Sequence, residues 1–526
     1  MLGLELVVAL GFAVLVCSAA ADRLGVAPPI VLLLGGIALG FVPALRDVRL
    51  PPEAVLLLFL PALLYWESLT TSPREIRRYL RGIVLMSTVL VIVTAGAVAV
   101  VAHGFGLPWG PAWVLGAAVA PTDATAVGAL ARILPRRYMT ALRAESLIND
   151  GTALVVYGLA VGITVGEESL STAHVSWLFL VSYVGGVLVG IVTAKVGVQV
   201  RARIADAILG SVAMLLVPFT AFLAAELVGA SGVLAVVVCG LIMSQAGPHV
   251  GRAATRLQTV AFYSLAAFVL NAALFVLIGV EAQTVVRALD AADLARGLVL
   301  IGVVCAVLVA VRVVFIFAVS YLIRLLDRRP QQHELRISDR ARIVSGVAGF
   351  RGAVSLAAAM AIPMMVASGA PFPGRSLIVF VTFGVIVVTV LVQGLLLPAV
   401  VRWARFPEDL AVGEERRLAE TLSVSEALDA LPHLVADLRT SPEVAERLRL
   451  EYETHLAVLN ADGEEADTAL RRKRDDTALR LALVSCKRAT VLRLRDERRI
   501  DDTVLRQIQS LLDIEELRLT PHPLSD

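Results

Sequence analysis

Three ionisable side chains in this sequence sit where charge is expensive. Asp123 lies about 12 residues from either end of the apolar run 111–134, near mid-bilayer for a helix rising ~1.5 Å per residue. Asp150 lies about ten residues into the next run, 140–165, and Arg351 about ten into the run 340–366. A charge at such depth costs several kcal/mol on most scales, so each is a functional candidate by default. Burial disfavours a bare carboxylate, so a deep aspartate is favoured when a proton or a cation neutralises it. That is the chemistry of coupled ion exchange, which needs neither catalyst nor cofactor.

The neighbouring residues sharpen this reading. The first segment reads APTDATAVGAL (120–130). Pro121 lacks an N–H and clashes with the preceding turn, so the helix breaks there. Thr122 and Thr125 can satisfy the freed backbone groups or face a cation. A spanning helix broken at mid-depth beside an Asp is how secondary transporters build ion sites. The second segment reads ESLINDGTALVVY (145–157). Ser146 and Asp150 share one helix face, and Glu145 and Asn149 share a neighbouring one. Glu145 and Asp150 stand about 140° apart and should have different partners. Gly151 would admit another backbone. The third reads SGVAGFRGAVSLAAA (345–359), with Arg351 flanked by Gly349 and Gly352. A buried guanidinium needs a carboxylate, and Glu145 is the expected partner because it leaves Asp150 free. This pair would shape the site rather than carry cargo. Glu67, in FLPALLYWESLTT (59–71), would line an entry funnel or snorkel to the interface. Glu226 reads as structural, and Asn271 as an amide bridging helices.

The rest of the chain must position these groups. Of its 526 residues, 58% are hydrophobic and only 17% charged. Mean hydropathy is +0.80, whereas a soluble domain is about a quarter charged. This excludes a soluble enzyme, a disordered chain and a disulfide scaffold, and implies an all-α polytopic membrane protein. Apolar runs fall at 2–21, 28–45, 52–70, 80–102, 111–134, 140–165, 176–198, 206–228, 231–246, 257–281, 294–324, 340–366 and 374–402, which makes thirteen expected spans. The first carries Glu5 and no basic n-region, so it reads as a spanning helix rather than a cleaved signal. Run 231–246 is short, and run 294–324 is long enough to tilt or project.

Basic residues recur at every second connection. Arg74, Arg77, Arg78 and Arg81 come first, then Arg132, Arg136, Arg137 and Arg143, then Lys195, Arg201 and Arg203. Arg252 and Arg256 follow, then Arg324, Arg328, Arg329, Arg336, Arg340 and Arg342. The positive-inside rule puts these in the cytoplasm, with the N-terminus outside and the C-terminus inside. After Trp403 the composition turns to Arg, Asp, Glu and Leu. The expected division is a membrane domain over 1–404 and a soluble helical cytoplasmic tail over 405–526. In the tail, Asp501 and Asp502 would cap a helix that puts Leu505, Ile508 and Leu512 on one face.

Other chemistries find little purchase. Net charge is +2, so nothing in bulk favours nucleic acid. Cys17, Cys239, Cys305 and Cys486 have no metal-ligand or redox spacing. The histidines form no cluster within an apolar run, and no HExxH, GxSxG or phosphate loop is present.

The three segments together resemble the cation:proton antiporter-1 family, the sodium/proton exchangers. PTDATAV resembles its broken-helix motif, and ESLINDGTALVVY its Asn-Asp helix. GFRGAVSLA followed by TVLVQGLLLP (389–398) resembles its C-terminal signature, and VLRLRDERRIDDTVLRQIQ is similar to bacterial tails. The resemblance implies inverted repeats with broken helices, a mobile core domain, a dimerisation domain and a homodimer in the cell membrane. It implies that Asp150 carries the ion and the proton, beside Asn149. Thr122 and Asp123 match the broken-helix pair, Ser146 a hydroxyl ligand, and Glu145 with Arg351 a buried ion pair. Asp150, Ser146 and Thr122 would hold the transported Na⁺. Asn149, where electrogenic relatives carry a second aspartate, implies one-for-one electroneutral exchange. The WES stretch around Glu67 departs from the acidic position of animal members. A K⁺- or Li⁺-preferring exchanger of the same fold and a cation channel are the rival readings.

Overall fold

A computed structural model of the chain describes residues 2–42, 55–124, 134–166, 172–204, 206–247, 250, 253–287, 289–326, 338–406, 411–461 and 463–520. Thr125 and the basic loop residues Arg132, Arg252, Arg328, Arg329 and Arg336 lie outside them. The chain divides into two compact units, Met1–Pro407 and Glu408–Asp526.

The first unit is helical, and seven of its described helices are long and apolar enough to cross a membrane. Its elements are α1 (Leu2–Leu24), α2 (Pro28–Leu39) and α3, which opens with a π-turn (Val55–Phe59) and continues as Leu60–Thr70. Helix α4 runs through Pro73–Val84, a π-turn at Leu85–Val89, and Leu90–Gly104. Then come α5 (Trp109–Val119), α6 (Arg136–Val165), α7 (Thr172–Arg203), α8 (Ala207–Leu227), α9 (Gly232–Ala246), α10 (Ala253–Arg287) and α11 (Ala291–Leu326). The unit closes with α12 (Asp339–Val347), α13 (Ala353–Met360) and α14 (Arg375–Val388, a π-turn at Thr389–Gln393, then Gly394–Ala404).

Among the described residues, two of the thirteen expected runs are interrupted within their length. Run 111–134 gives α5 and then non-helical backbone at 121–123, where Pro121 cannot donate, and its residues 125–133 lie outside the described residues. Run 340–366 gives α12, an unwound stretch at 348–352, and the short α13. The remainder of that run, with residues up to 374, is a loop pinned by a bridge between Met365 and Pro371 and by Ala367 N–H donating to Val165 O at 3.1 Å. Helix α11 has 36 residues, roughly 54 Å at 1.5 Å per residue, which exceeds a ~30 Å hydrocarbon core.

The unit packs by close approach as well as by apolar burial. Gly36 of α2 meets the Val276 carbonyl of α10, and Gly279 of α10 meets the Leu33 carbonyl of α2, with no room for a Cβ at either position. Small residues let backbones touch where lipid provides no hydrophobic drive. Glu226 ends α8 by accepting the Gly232 N–H at 3.2 Å, which caps α9.

The second unit comprises α15 (Ala411–Leu438), α16 (Pro442–Asn460), α17 (Gly463–Asp496) and α18 (Asp502–Leu519). Asp501 caps α18 by accepting the Thr503 N–H at 2.8 Å, a bond that holds its carboxyl below the usual carboxylate range. Leu505 and Leu512 are buried with Val484 and Val491 of α17. Arg488 clasps Asp513 and Glu516, each at 2.6 Å, along the exposed margin of that helix pair.

Candidate functional site

The two unwound stretches touch. Asp123 N–H donates to Phe350 O at 2.8 Å. The Asp123 carboxylate lies so close to Gly352 that a Cβ there would overlap it. The backbone groups freed by unwinding are largely taken up by side chains. Ala124 N–H donates to Ser146 Oγ at 3.2 Å. Arg351 donates through Nε to Val119 O at 2.9 Å and through Nη1 to Gly349 O. Its own N–H donates to Thr389 Oγ1 at 3.3 Å, and that hydroxyl donates to Ile386 O at 3.1 Å. Thr389 opens the π-turn of α14, so the TVLVQ motif supplies a bracket for the second break.

Helix α6 runs beside the first break and presents its motif to it. Asn149 donates Nδ2–H to Thr122 Oγ1 at 2.8 Å. Ser146, Asn149 and Asp150 are all buried. Gly151 is filled by the Leu234 side chain of α9 rather than by another backbone.

The expected ion pair between Glu145 and Arg351 is corrected by the structure. Glu145 Oε1 pairs with Arg312 Nη1 at 2.5 Å and accepts the Thr122 hydroxyl at 3.5 Å. Arg312 also donates Nε–H to Ser345 O at 2.9 Å. Arg351 is satisfied by backbone carbonyls because it sits inside the unwound stretch, where helical ends leave acceptors open. Sequence reasoning passed over Arg312, although its signal was present: a lone Arg within LVAVRVVFIF, at residues 308–317 of an apolar run.

Between these elements lies a cavity of about 50 Å³, room for roughly three to five waters or a partly hydrated small cation. Its polar lining is Glu67, Thr122, Asp123, Ser146, Asp150, Asn271 and Ser355. Among the described residues, no Lys, Arg or His lines it. Asp150 makes no hydrogen bond or ion pair to any described residue, and its electrostatic neighbours are Asp123 and Glu67. Three carboxylates facing one small volume repel each other, and a cation that enters relieves this. Oxygen donors of this kind suit a hard cation. Of the expected site residues, Thr122, Asp123, Ser146, Asp150 and Glu67 line the cavity, while Asn149, Glu145 and Arg351 stand behind it as supports. Asn271, read as a helix bridge, lines the cavity and hydrogen-bonds no described residue. Ser355 was also missed, because a serine in SLAAA carries no signal by itself.

The family described as "Sodium/hydrogen exchanger, transmembrane" matches residues 11–403, which include every group named above. The chain belongs to the sodium/hydrogen exchanger family. This exchanger family is one of membrane transporters rather than enzymes. An uncharacterized Na⁺/H⁺ exchanger of Mycobacterium tuberculosis is 45% identical over 521 residues, covering 98% of this chain and 96% of the relative. The Na⁺/H⁺ antiporter ApNhaP of Aphanothece halophytica is 32% identical over 413 residues, covering 77% of this chain and 75% of the relative. Among solved structures, the sodium proton antiporter MjNhaP1 of Methanocaldococcus jannaschii superposes with a TM-score of 0.59 at 19% identity, over 76% of this chain and 99% of that one. That likeness shows that the two share a fold.

Proposed function

We propose that the chain is a secondary antiporter exchanging Na⁺ for H⁺ by competition for Asp150. The observation that carries this reading is the Asp150 carboxylate, which lines a cation-sized cavity and has no hydrogen-bond or ion-pair partner among the described residues. Thr122, Ser146 and Asp123 line the same space, so hydroxyl and carboxylate oxygens can replace part of a cation's hydration shell. An Asp150 carboxylate that is neutral only when protonated or paired with a cation, moving past an apolar barrier, couples the two flows. Motion is one helix bundle rocking against another, as in inverted-repeat carriers. Asn149 spends its amide on Thr122, so α6 offers one titrating carboxylate rather than two adjacent ones. This supports one-for-one, electroneutral exchange.

The antiporter acts as a homodimer in the cell membrane, N-terminus outside, with residues 405–526 as a cytoplasmic helical tail. The basic connections support that orientation. Reconstitution into liposomes with a lumenal pH dye tests the assignment. Na⁺ addition drives proton release, and an imposed membrane voltage leaves the rate unchanged. Proton release with K⁺ alone assigns the same mechanism to K⁺. Current without proton countertransport indicates a channel and removes the reading.

A further inference from the structure

The cavity has a second polar wall, which the competition for Asp150 leaves unused. Ser355, in the first turn of α13, is 1% exposed, lines the cavity, and its hydroxyl has no hydrogen-bond partner among the described residues. Elsewhere in the unit, buried helical hydroxyls can close onto the carbonyl four residues earlier. Ser68 donates to Leu64 O at 2.6 Å and Ser87 to Ile83 O at 2.7 Å. Ser355 does not, since the residue four earlier, Arg351, belongs to the unwound stretch. The break in the helix thus leaves this hydroxyl free to serve another group. Asn271, on α10, reaches the same cavity with an amide that hydrogen-bonds no described residue. A buried polar group left unmade is costly, so the Ser355 hydroxyl, with the half-buried Asn271 amide lining the same cavity, points to an occupant. The carboxylates that share the cavity exclude an anion and select a cation.

We propose that Ser355 and Asn271 supply neutral oxygen ligands to the transported alkali cation and set how strictly Na⁺ is preferred over Li⁺ and K⁺. The proposal rests on the reading of Asp150 as carrier. A carboxylate attracts all three ions by charge. Discrimination among ions of equal charge comes from the number and spacing of the oxygens around them. Ser355 belongs to the broken-helix assembly, whereas Asn271 stands on α10, which packs on α2. Relative motion of the two parts breaks the shell, and release of the ion accompanies it.

The test uses the full chain in liposomes, with Na⁺, Li⁺ and K⁺ titrated separately against wild type, S355A, S355T, N271A and D150N. The expected result is a half-saturating Na⁺ concentration raised roughly five- to tenfold in S355A and N271A, with the Na⁺/K⁺ ratio compressed. The effect falls on half-saturation more than on maximal rate, and S355T, which keeps the hydroxyl, lies closer to wild type than S355A does. A second readout is Na⁺-dependent thermal stabilisation of purified protein, which needs proportionally more Na⁺ in both alanine variants. Wild-type half-saturation and ion ratio in S355A and N271A overturn the proposal. If S355A does not fold, a wild-type ion ratio in N271A overturns it. A wild type that exchanges no alkali cation, or a D150N that exchanges normally, overturns the carrier reading instead, so the two failures are distinguishable.

Discussion

One carboxylate oxygen, Glu145 Oε1, joins α11 to the first helix break, pairing with Arg312 at 2.5 Å and accepting the Thr122 hydroxyl at 3.5 Å. Both Glu145 and Arg312 are buried, so neither can turn to water if its partner is lost. Arg312→Ala and Glu145→Ala should each lower stability by about 3–5 kcal/mol, because each strands the other charge. Thermal unfolding of purified protein in detergent measures this. A wild-type midpoint in either variant contradicts the pairing.

Arg351 is a separate case, since its guanidinium holds the carbonyls of Val119 and Gly349. A double-mutant cycle separates the two arginines. Coupling of Glu145 with Arg312 should exceed about 1 kcal/mol, and coupling with Arg351 should be the smaller of the two. The reverse order would restore the pairing that spacing alone suggested.

Gly352 has ordinary extended backbone angles, so its requirement is for space rather than conformation. A methyl group there overlaps the Asp123 carboxylate. Gly352→Ala should therefore displace the first break and cut exchange at least about tenfold, since small misplacements of a site are costly. Reconstituted exchange activity, at matched incorporation, reads the outcome, and a wild-type rate removes the crossing contact from the site.

Much of the site was legible because charge is rare in apolar sequence. Asp123 and Asp150 stood out by depth and Glu67 as a lone charge in an apolar run, and all three line one cavity. Pro121 announced the first break, and Gly349 and Gly352 lie within the second. Spacing could not say which arginine meets Glu145, because the choice depends on how α11 packs against α12 and on which carbonyls unwinding exposes. Asn271 and Ser355 were illegible as cavity residues for a related reason. A neutral amide or hydroxyl in an apolar helix is usually satisfied locally, and only the three-dimensional arrangement shows that these two are not.

In the tail, the Asp501 carboxyl is held below the usual carboxylate range by its bond to Thr503 N–H. A depressed folded-state value means that the cap stabilises α18 above the unfolded value and is lost as pH falls through the folded one. Acidification of wild type and Asp501→Ala at neutral pH should both lower the amide-exchange protection factors, taken against the intrinsic rate at each pH, in the first turn of α18. Unchanged exchange in Asp501→Ala contradicts the cap.

The most direct test of the account is Na⁺-driven proton release from liposomes containing wild type or Asp150→Asn, incorporated at equal density and shown to unfold at similar temperatures. Asparagine keeps the shape of the side chain but can exchange neither a proton nor a counter-charge. The account predicts that the variant falls to the background of protein-free liposomes with Na⁺, Li⁺ and K⁺ alike. Proton release at the wild-type rate would contradict it.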